Sequence, residues 1–207
     1  MRIAGILLAG GRSTRMGADK MRMELSGRTL LEHSAQRLRP QVEALAVSAN
    51  APLELPAFDH LPLLPDPLPG YPGPLAGILA GLGWAASLEG VTHLASAAGD
   101  TPFIPRDLVA RLAAAIGDDP ARIAVATSNG HRHPTCALWP LSLREDLQQF
   151  LAGGESLKVG AFIDRHSPAT VDFPLRQTAA GEFDPFFNVN TPADLARAEE
   201  IATGAAQ

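Results

Sequence analysis

Cysteine and lysine are both scarce in this sequence, and each scarcity limits what the protein can be. Cys136 is the single cysteine among 207 residues, so no internal disulfide can form and a reducing compartment fits the chain. Lysine occurs only at Lys20 and Lys158, and arginine supplies the other fifteen of the 17 basic side chains. The length suffices to bury the core of one α/β domain.

Long apolar runs are missing as well. No window approaches the ~18 consecutive apolar residues that a membrane span requires. The apolar start of the chain ends at Gly10 and Gly11, and it lacks the longer apolar core and the cleavage site of a signal peptide. We therefore expect a cytoplasmic protein that does not contact a membrane.

Positive charge is in deficit overall but concentrated near the N-terminus. The chain has 22 acidic and 17 basic side chains, a net charge of −5, which argues against general nucleic-acid binding. Residues 1–40 hold eight basic and three acidic side chains, a net +5, which leaves −10 for the rest. This segment indicates a local anion site or a solvated arginine-bearing helix face, and charge alone does not decide between them.

Short apolar runs alternate with helical patterns along the whole chain. Strands are predicted at Ile3–Ala9, Leu45–Ser48, Leu61–Leu64, His93–Ala97, Ile123–Thr127 and Val171–Phe173. Helices are predicted at Arg28–Arg39, Pro74–Leu88, Pro105–Ile116 and Ser142–Leu151, and after the cap signal Thr191-Pro192. This alternation predicts a single α/β domain whose mainly parallel sheet carries helices on both faces.

The loop after the first predicted strand, Leu8 to Lys20, combines glycines with basic residues. Gly10 and Gly11 permit a close approach of backbone N–H groups to a phosphate, and Arg15 and Lys20 add positive charge. The spacing matches neither a Walker A loop nor a dinucleotide fingerprint. A tight turn with surface arginines is the alternative.

Two further motifs carry polar side chains at expected strand ends or before a helix. Asp100, after the strand His93–Ala97, is placed to hold Mg²⁺ together with substrate phosphates, and Asp66 could face the same cleft. The alternative for Asp100 is a turn cap ahead of the following prolines. Asn188 and Asn190, spaced by two, point to one side of an extended segment, or serve as turn and cap residues before the last helix.

Other patterns narrow the chemistry. The proline- and glycine-rich stretch Leu61–Gly77 indicates a shaped binding loop, or a surface loop with no role. The run His131 to Cys136 contains possible zinc ligands, but no second Cys or His cluster in the sequence completes a set of four. A zinc site is therefore not expected. The absence of a G-x-S-x-G nucleophile elbow weakens a hydrolase interpretation.

Taken together and in order, these motifs resemble the molybdenum cofactor guanylyltransferases, a family of nucleotidyltransferases. The motifs are Leu8-Ala9-Gly10-Gly11 through Lys20, Tyr71-Pro72-Gly73-Pro74-Leu75-Ala76-Gly77, Asp100-Thr101-Pro102, His133-Pro134-Thr135 and Phe187-Asn188-Val189-Asn190-Thr191-Pro192. The resemblance extends from residue 8 to about residue 195. It implies a doubly wound, Rossmann-like domain that transfers GMP from GTP to molybdopterin and releases pyrophosphate.

The family pattern implies a role for each matching residue. The implied nucleotide-binding residues are Leu8, Ala9, Gly10, Gly11, Lys20, Asn50, Asp66 and Asp100. The implied catalytic residues are Arg15, Lys20 and Asp100, and Asp100 would also ligate the Mg²⁺ cofactor. The implied molybdopterin-binding residues are Gly73, Gly77, Lys158, Asn188 and Asn190. The N-terminal half would thus bind GTP and the C-terminal half mainly molybdopterin, while Arg28, Arg37 and Arg39 remain ordinary helix-surface residues.

Two other functions stay open at this point. A cytidylyltransferase of the same fold would act on molybdopterin or another phosphorylated small molecule, although such relatives usually read A-A-G where this chain has Ala9-Gly10-Gly11. A non-catalytic GTP-binding adaptor for molybdoenzymes would not need both Lys20 and Asp100. The resemblance also leaves room for transient contacts with molybdopterin-biosynthesis proteins and apo-molybdoenzymes. Gly99 departs from the family, where a bulkier residue, commonly cysteine, is usual.

Overall fold

A central mixed sheet organises the computed structural model, which describes residues 1–10, 22–67, 73–154 and 156–204. The strands are β1 (Arg2–Leu8), β2 (Glu24–Leu25), β3 (Arg28–Thr29), β4 (Leu45–Ser48), β5 (Leu63–Leu64), β6 (Val91–Ala98), β7 (Ala124–Ser128), β8 (His131–Pro140), β9 (Ala169–Asp172), β10 (Arg176–Thr178) and β11 (Gly181–Phe183). The helices are α1 (Leu30–Leu38), α2 (Pro74–Ala85), α3 (Leu108–Ala115), α4 (Arg144–Gly153), α5 (Val159–Asp164) and α6 (Pro192–Gly204).

The sheet has seven strands within the described residues, in the order β5-β4-β1-β6-β8-β7-β9. Its neighbours pair in parallel except along β8, which runs antiparallel to both β6 and β7. Two small antiparallel hairpins, β2-β3 and β10-β11, lie outside it. The predicted mainly parallel α/β sheet is thereby confirmed.

Helices cover both faces because successive side chains of each strand point to opposite sides. In β1, Ile6 and Leu8 join the apolar cluster that contains residues of α2, α4 and α5. Leu7, between them, joins the cluster that contains residues of α1 and α3. Helix α6 packs in a third, smaller cluster, in which Val189 and Ile201 are almost fully buried. The described helices are all too short or too polar to cross a membrane.

Most differences from the predicted elements have local causes. Helix α1 begins at Leu30 rather than Arg28, because Thr29 and Glu32 form a reciprocal capping box at that point. Thr191 caps α6 as predicted, since its Oγ1 accepts the N–H of Asp194 at 3.1 Å. The helix predicted from Ser142 begins only at Arg144, after a 3₁₀ turn, so Ser142 does not start it and no side chain caps it.

Helix α2 approaches the sheet closely through two glycines one turn apart. A Cβ placed on Gly77 would lie 2.5 Å from Ser48 Oγ and 3.0 Å from Leu8 Cδ2. A Cβ on Gly81 would lie 2.7 Å from Ile6 Cδ1. The absence of a side chain at these two glycines therefore allows α2 to pack on β1 and β4, next to the carboxyl ends of both strands.

This packing predicts that a glycine-to-alanine change in α2 will raise or lower the free energy of unfolding, depending on the position. Gly77→Ala is expected to lower the free energy of unfolding by about 1–3 kcal/mol, because the new methyl overlaps its neighbours. Gly83→Ala is the matched control, since its Cβ would come no closer than 3.5 Å, to the flexible end of Arg144. There the better helix propensity of alanine should stabilise the fold by up to ~1 kcal/mol. Urea unfolding measures both, and equal stabilisation by the two changes would contradict the close approach.

Candidate active site

Strand β1, the third strand of the sheet, ends at Leu8, and Ala9 and Gly10 follow at the carboxyl edge between β4 and β6. The backbone N–H of Ala9 donates to the carbonyl of Ser48 at 3.0 Å, and that of Gly99 donates to the carbonyl of Leu8 at 3.0 Å. These bonds tie the ends of β4 and β6 to the end of β1. The predicted residues Gly11, Arg15 and Lys20 lie outside the described residues.

Asn50 and Asp66 meet at the neighbouring strand ends. The amide Nδ2 of Asn50 donates to Asp66 Oδ2 at 2.8 Å, and the backbone N–H of Asp66 donates to Asn50 Oδ1 at 2.7 Å. Asn50 follows β4 and Asp66 follows β5, so this reciprocal pair fixes two strand ends that are 16 residues apart in sequence. The Asp66 carboxylate is thereby held in one orientation at the edge of the sheet.

The loop that follows β6 carries Asp100, and it is hydrogen-bonded to the segment Phe187–Pro192, called the Asn188 motif below. The backbone N–H of Val189 donates to the Asp100 carbonyl at 3.0 Å. Thr101 Oγ1 donates to Asn188 Oδ1 at 2.7 Å, and Thr101 is only 1% exposed. The structure therefore brings together two motifs that are 87 residues apart.

Asn188 and Asn190 are exposed, whereas Val189 between them is fully buried. This alternation is the pattern expected when two residues spaced by two share one side of an extended segment. The backbone N–H groups of Asn190 and Thr191 both donate to Asp194 Oδ2, at 2.9 and 2.8 Å, so the segment is anchored to the first turn of α6.

Ser34, which the sequence did not single out, supports the Asp100 loop from behind. Its Oγ lies 3.1 Å from each of the carbonyls of Leu30, Gly99 and Thr101, in a fully buried position on α1. One hydroxyl proton serves these carbonyls one at a time. The only signal in the sequence was a small polar residue on the otherwise apolar face of α1.

A second network that was missed holds the segment leading to Asn188. Ser128 Oγ lies 2.6 Å from both Asp184 Oδ2 and His133 Nε2. Because serine has one proton, donation to Asp184 leaves its oxygen to accept from the Nε2–H of His133. The backbone N–H of Phe186 donates to Asp184 Oδ1 at 2.8 Å, and the Phe186 ring stacks on His133 with centroids 4.5 Å apart.

This network makes stability depend on pH. Burial lowers the pKa of His133 below its ordinary value of 6.5, although the nearby Asp184 opposes the shift. The unfolded chain therefore binds a proton more readily, so the free energy of unfolding should fall as the pH drops below about 6.5. In urea unfolding at pH 7.5 and 5.5, His133→Gln should show a smaller loss than the wild type. An identical loss in the two proteins would contradict the assignment to His133.

The remaining predicted residues lie near this edge in different ways. Gly73 directly precedes α2 with a φ of 139°, a conformation that favours glycine. Gly77 is buried against Ser48 and Leu8, so the structure gives it a packing role, and contact with a ligand stays a prediction. Lys158 is exposed and occupies the N-cap position of α5, where its side chain makes no capping hydrogen bond. Gly160, two residues after Lys158, lies against β8, since a Cβ placed on it would be 4.0 Å from Cγ of Pro134. The start of α5 is therefore next to β8.

The donor set fits a hard cation better than zinc. Among the described residues, no group of three or more His, Cys, Asp or Glu side chains is arranged to hold a metal ion. Burial raises the pKa of Cys136 to about 12, so its thiol is protonated at neutral pH and is a poor zinc ligand. Asp100 supplies carboxylate oxygen just after the carboxyl end of β6, and Mg²⁺ is an ion that takes one or two carboxylates plus substrate phosphates.

Comparison with known proteins shows the class to which this fold and site belong, the nucleotidyltransferases. A family model described as the MobA-like NTP transferase domain matches residues 5–169. The chain belongs to this family. It is 49% identical over 200 residues to a molybdenum cofactor guanylyltransferase of Mesorhizobium japonicum, covering 96% of this chain and 95% of the relative. It is 48% identical over 197 residues to another of Rhizobium johnstonii, covering 95% and 91%.

Solved structures agree on the fold. Molybdopterin-guanine dinucleotide biosynthesis protein A from Archaeoglobus fulgidus superposes with a TM-score of 0.72 at 26% identity, over 98% of this chain and 99% of that one. A 4-diphosphocytidyl-2C-methyl-D-erythritol synthase from Anaerococcus prevotii has a TM-score of 0.71 at 12% identity, over 98% and 96%. A Mycobacterium tuberculosis protein, solved in complex with manganese, has a TM-score of 0.64 at 16% identity, over 97% and 98%. The fold alone thus does not select the nucleotide base.

Proposed function

We propose that this chain transfers GMP from GTP to the terminal phosphate of molybdopterin, with or without bound molybdenum, forming the guanine dinucleotide and releasing pyrophosphate. The observation that carries this proposal is the hydrogen-bonded junction between the Asp100 loop and the Asn188 motif at the carboxyl edge of the sheet. Relatives at 48% and 49% identity over nearly the whole chain carry the name molybdenum cofactor guanylyltransferase.

The chemistry needs positioning and charge rather than a general base. The acceptor phosphate is already anionic, so it must be held in line with the α-phosphorus of GTP while negative charge develops on pyrophosphate. The residues proposed for this task are Arg15, Lys20 and Asp100. The division of labour follows the chain: the N-terminal half, with Leu8 to Gly11, binds GTP, and the C-terminal half mainly binds molybdopterin.

Asp100 is proposed to hold Mg²⁺, which would supply charge neutralisation on the phosphates of the bound nucleotide. The chain's own contribution is to hold the loop that carries this carboxylate. The backbone carbonyl of Asp100 is bonded to Val189, and the flanking carbonyls of Gly99 and Thr101 lie at Ser34. A loop held from both sides presents its side chain with little loss of conformational freedom on binding.

Asn50 and Asp66 are proposed to bind the guanosine portion. Guanine offers N–H donors whose hydrogen bonds a carboxylate accepts, and the Asn50 amide holds the Asp66 carboxylate in place.

GTP and molybdopterin are the proposed small-molecule partners. Transient contacts with molybdopterin-biosynthesis proteins and apo-molybdoenzymes belong to the same proposal.

The direct test is an assay with the purified chain, Mg²⁺, molybdopterin and each of the four nucleoside triphosphates. The expected result is pyrophosphate release and dinucleotide formation with GTP, and neither without molybdopterin. Turnover with CTP in place of GTP would overturn the base assignment in favour of a cytidylyltransferase. Mg²⁺-dependent GTP binding without transfer would identify a binding module instead.

The bond between Thr101 and Asn188 allows a selective test of the acceptor side. Thr101→Val keeps the shape of the buried side chain but removes the hydroxyl that bonds Asn188, at a cost of about 1 kcal/mol. The KM for molybdopterin should rise about fivefold while the KM for GTP stays within twofold. Thr170→Val, an exposed position on β9, is the matched control. An equal rise in both KM values would mean that the Thr101 bond does not act on the acceptor side.

A further inference from the structure

A groove on α1 is lined by none of the residues assigned to either substrate. It has a volume of about 530 Å³ and lies between α1, the Pro102-Phe103 segment, the β10-β11 hairpin and the end of α6. Its volume falls in the range of small-molecule sites, which is about 300–1,000 Å³. Pro102 and Phe103 directly follow Asp100 and Thr101, so the groove adjoins the loop of the active site without sharing its polar side chains.

The polar side of the groove is cationic. Arg37 and Arg176 line it together with His33. The pKa of the Arg37 guanidinium is lowered by its burial and by the positive charges of Arg106 and Arg176. Among the described residues, none of these three arginines forms an ion pair with a carboxylate within 4.0 Å. In a chain of net charge −5, this concentration of like charges has no acidic partner within 4.0 Å in the described ranges, and it would attract an anion.

Donor groups are left over for such a counterion. The one hydrogen bond found for the Arg37 side chain in the described part of the structure runs from Nη1 to the carbonyl of Ile104 at 3.3 Å. A guanidinium has five N–H donors, and most of those of Arg37 make no hydrogen bond with the described residues, which leaves them for an anion. His33 is already engaged, because its Nε2 lies 2.7 Å from the carbonyl of Leu25. Arg37 and Arg176 are therefore the groups that would hold a negative charge.

The opposite side of the groove is apolar and aromatic. Phe103 and Phe183 meet edge to face, with ring centroids 5.3 Å apart, and both line the groove with Leu25 and Ala202. Phe183 ends the β10-β11 hairpin, which Arg197 on α6 fixes by donating to the carbonyl of Ala180 at 3.0 Å. The apolar side is thus held in place, and it would accept a ring or a short hydrocarbon body.

We propose that this groove is a binding site for a small organic phosphate monoester, with its phosphate on Arg37 and Arg176 and its apolar body against Phe103 and Phe183. A planar guanidinium bonds phosphate oxygens in pairs, and two of them neutralise a dianion. An aromatic wall beside the cations selects a phosphate that carries a ring over inorganic phosphate. This ligand is additional to GTP and molybdopterin, and the proposal does not depend on the reaction.

Calorimetric titration of the full chain with phenyl phosphate tests the site. Saturable binding is expected, weakened about tenfold by Arg176→Gln, which removes one charged phosphate contact. Phe183→Ala should weaken it about fivefold by removing the apolar contact. Arg122→Gln, a change of another exposed arginine outside the groove, should leave it within twofold. Inorganic phosphate should bind at least about tenfold more weakly than phenyl phosphate, since it lacks the ring.

Each contrary outcome is equally specific. Phenyl phosphate binding that is unchanged in Arg176→Gln would place the ligand elsewhere and overturn the proposal. Equal affinity for inorganic and phenyl phosphate would mean that Phe103 and Phe183 do not contact the ligand, and it would overturn the proposed ligand class. A hexaglutamate peptide that displaces phenyl phosphate and binds more tightly would also overturn it, because the groove would then be a docking surface for an acidic protein segment.

Discussion

Asp100→Asn is expected to reduce kcat for GMP transfer about 30- to 1,000-fold, which corresponds to about 2–4 kcal/mol in the barrier. Asparagine keeps the size of the side chain and one oxygen but removes the negative charge that binds a divalent cation. The loop itself should not change, because its tie to Val189 uses the backbone carbonyl of Asp100. The loss should therefore appear in kcat, while the loop stays bonded to Val189.

Steady-state kinetics at increasing Mg²⁺ concentration measure this effect. The Asp100→Asn protein should need more Mg²⁺ for half-maximal rate, and excess Mg²⁺ should restore only part of kcat. Asp59→Asn is the matched control, an exposed aspartate outside the site that should retain wild-type kinetics. If Asp100→Asn turned over normally with an unchanged Mg²⁺ requirement, the metal assignment would fail.

The apolar runs predicted the inner strands well because a parallel strand covered on both faces needs continuous apolar sequence. Leu45–Ser48 has the predicted bounds, and β1 and β6 differ from theirs by one or two residues at each end. Strand β8 was harder to recognise, since it begins with the polar residues His131 to His133, contains Pro134, and is buried only in its last part. Its antiparallel direction is a property of the sheet, which local sequence does not specify.

The motifs were visible in the sequence, but the residues that hold them in place were not. Ser34 contacts carbonyls 65 and 67 residues away, and Ser128 bonds Asp184 from a distance of 56 residues. A serine on a helix or at a strand end has no local pattern that announces such a bond. Long-range hydrogen bonds of this kind follow only from the fold, so sequence reasoning found the residues proposed to contact substrate and missed their supports.

The surface arginines show the same limit. Arg28, Arg37 and Arg39 were predicted as ordinary residues of a helix surface. Arg39 is exposed just after α1, but Arg28 lies in β3, where it donates to Gln36 Oε1 at 3.1 Å. Arg37 is half-buried beside the groove, because the β10-β11 hairpin and the Phe103 segment fold over that side of α1. Helical spacing alone contains no information about those later segments.

The two lysines should have separate and unequal roles. After Asp100→Asn, Lys20→Ala is the second change expected to reduce GMP transfer strongly. Lys20 lies outside the described residues, so the prediction rests on its place in the glycine-rich motif after β1. A lysine there supplies a point charge to the triphosphate as negative charge moves onto pyrophosphate. Its loss should reduce kcat/KM for GTP about 30- to 1,000-fold.

Lys158→Ala serves as the comparison, since Lys158 is the only other lysine in the chain. It is exposed at the start of α5, so its charge is screened by solvent and its removal should raise the KM for molybdopterin by no more than about fivefold. The KM for GTP should not change. Normal turnover of Lys20→Ala would exclude it from the triphosphate site, and a loss of GTP affinity in Lys158→Ala would reverse the proposed division between the two halves of the chain.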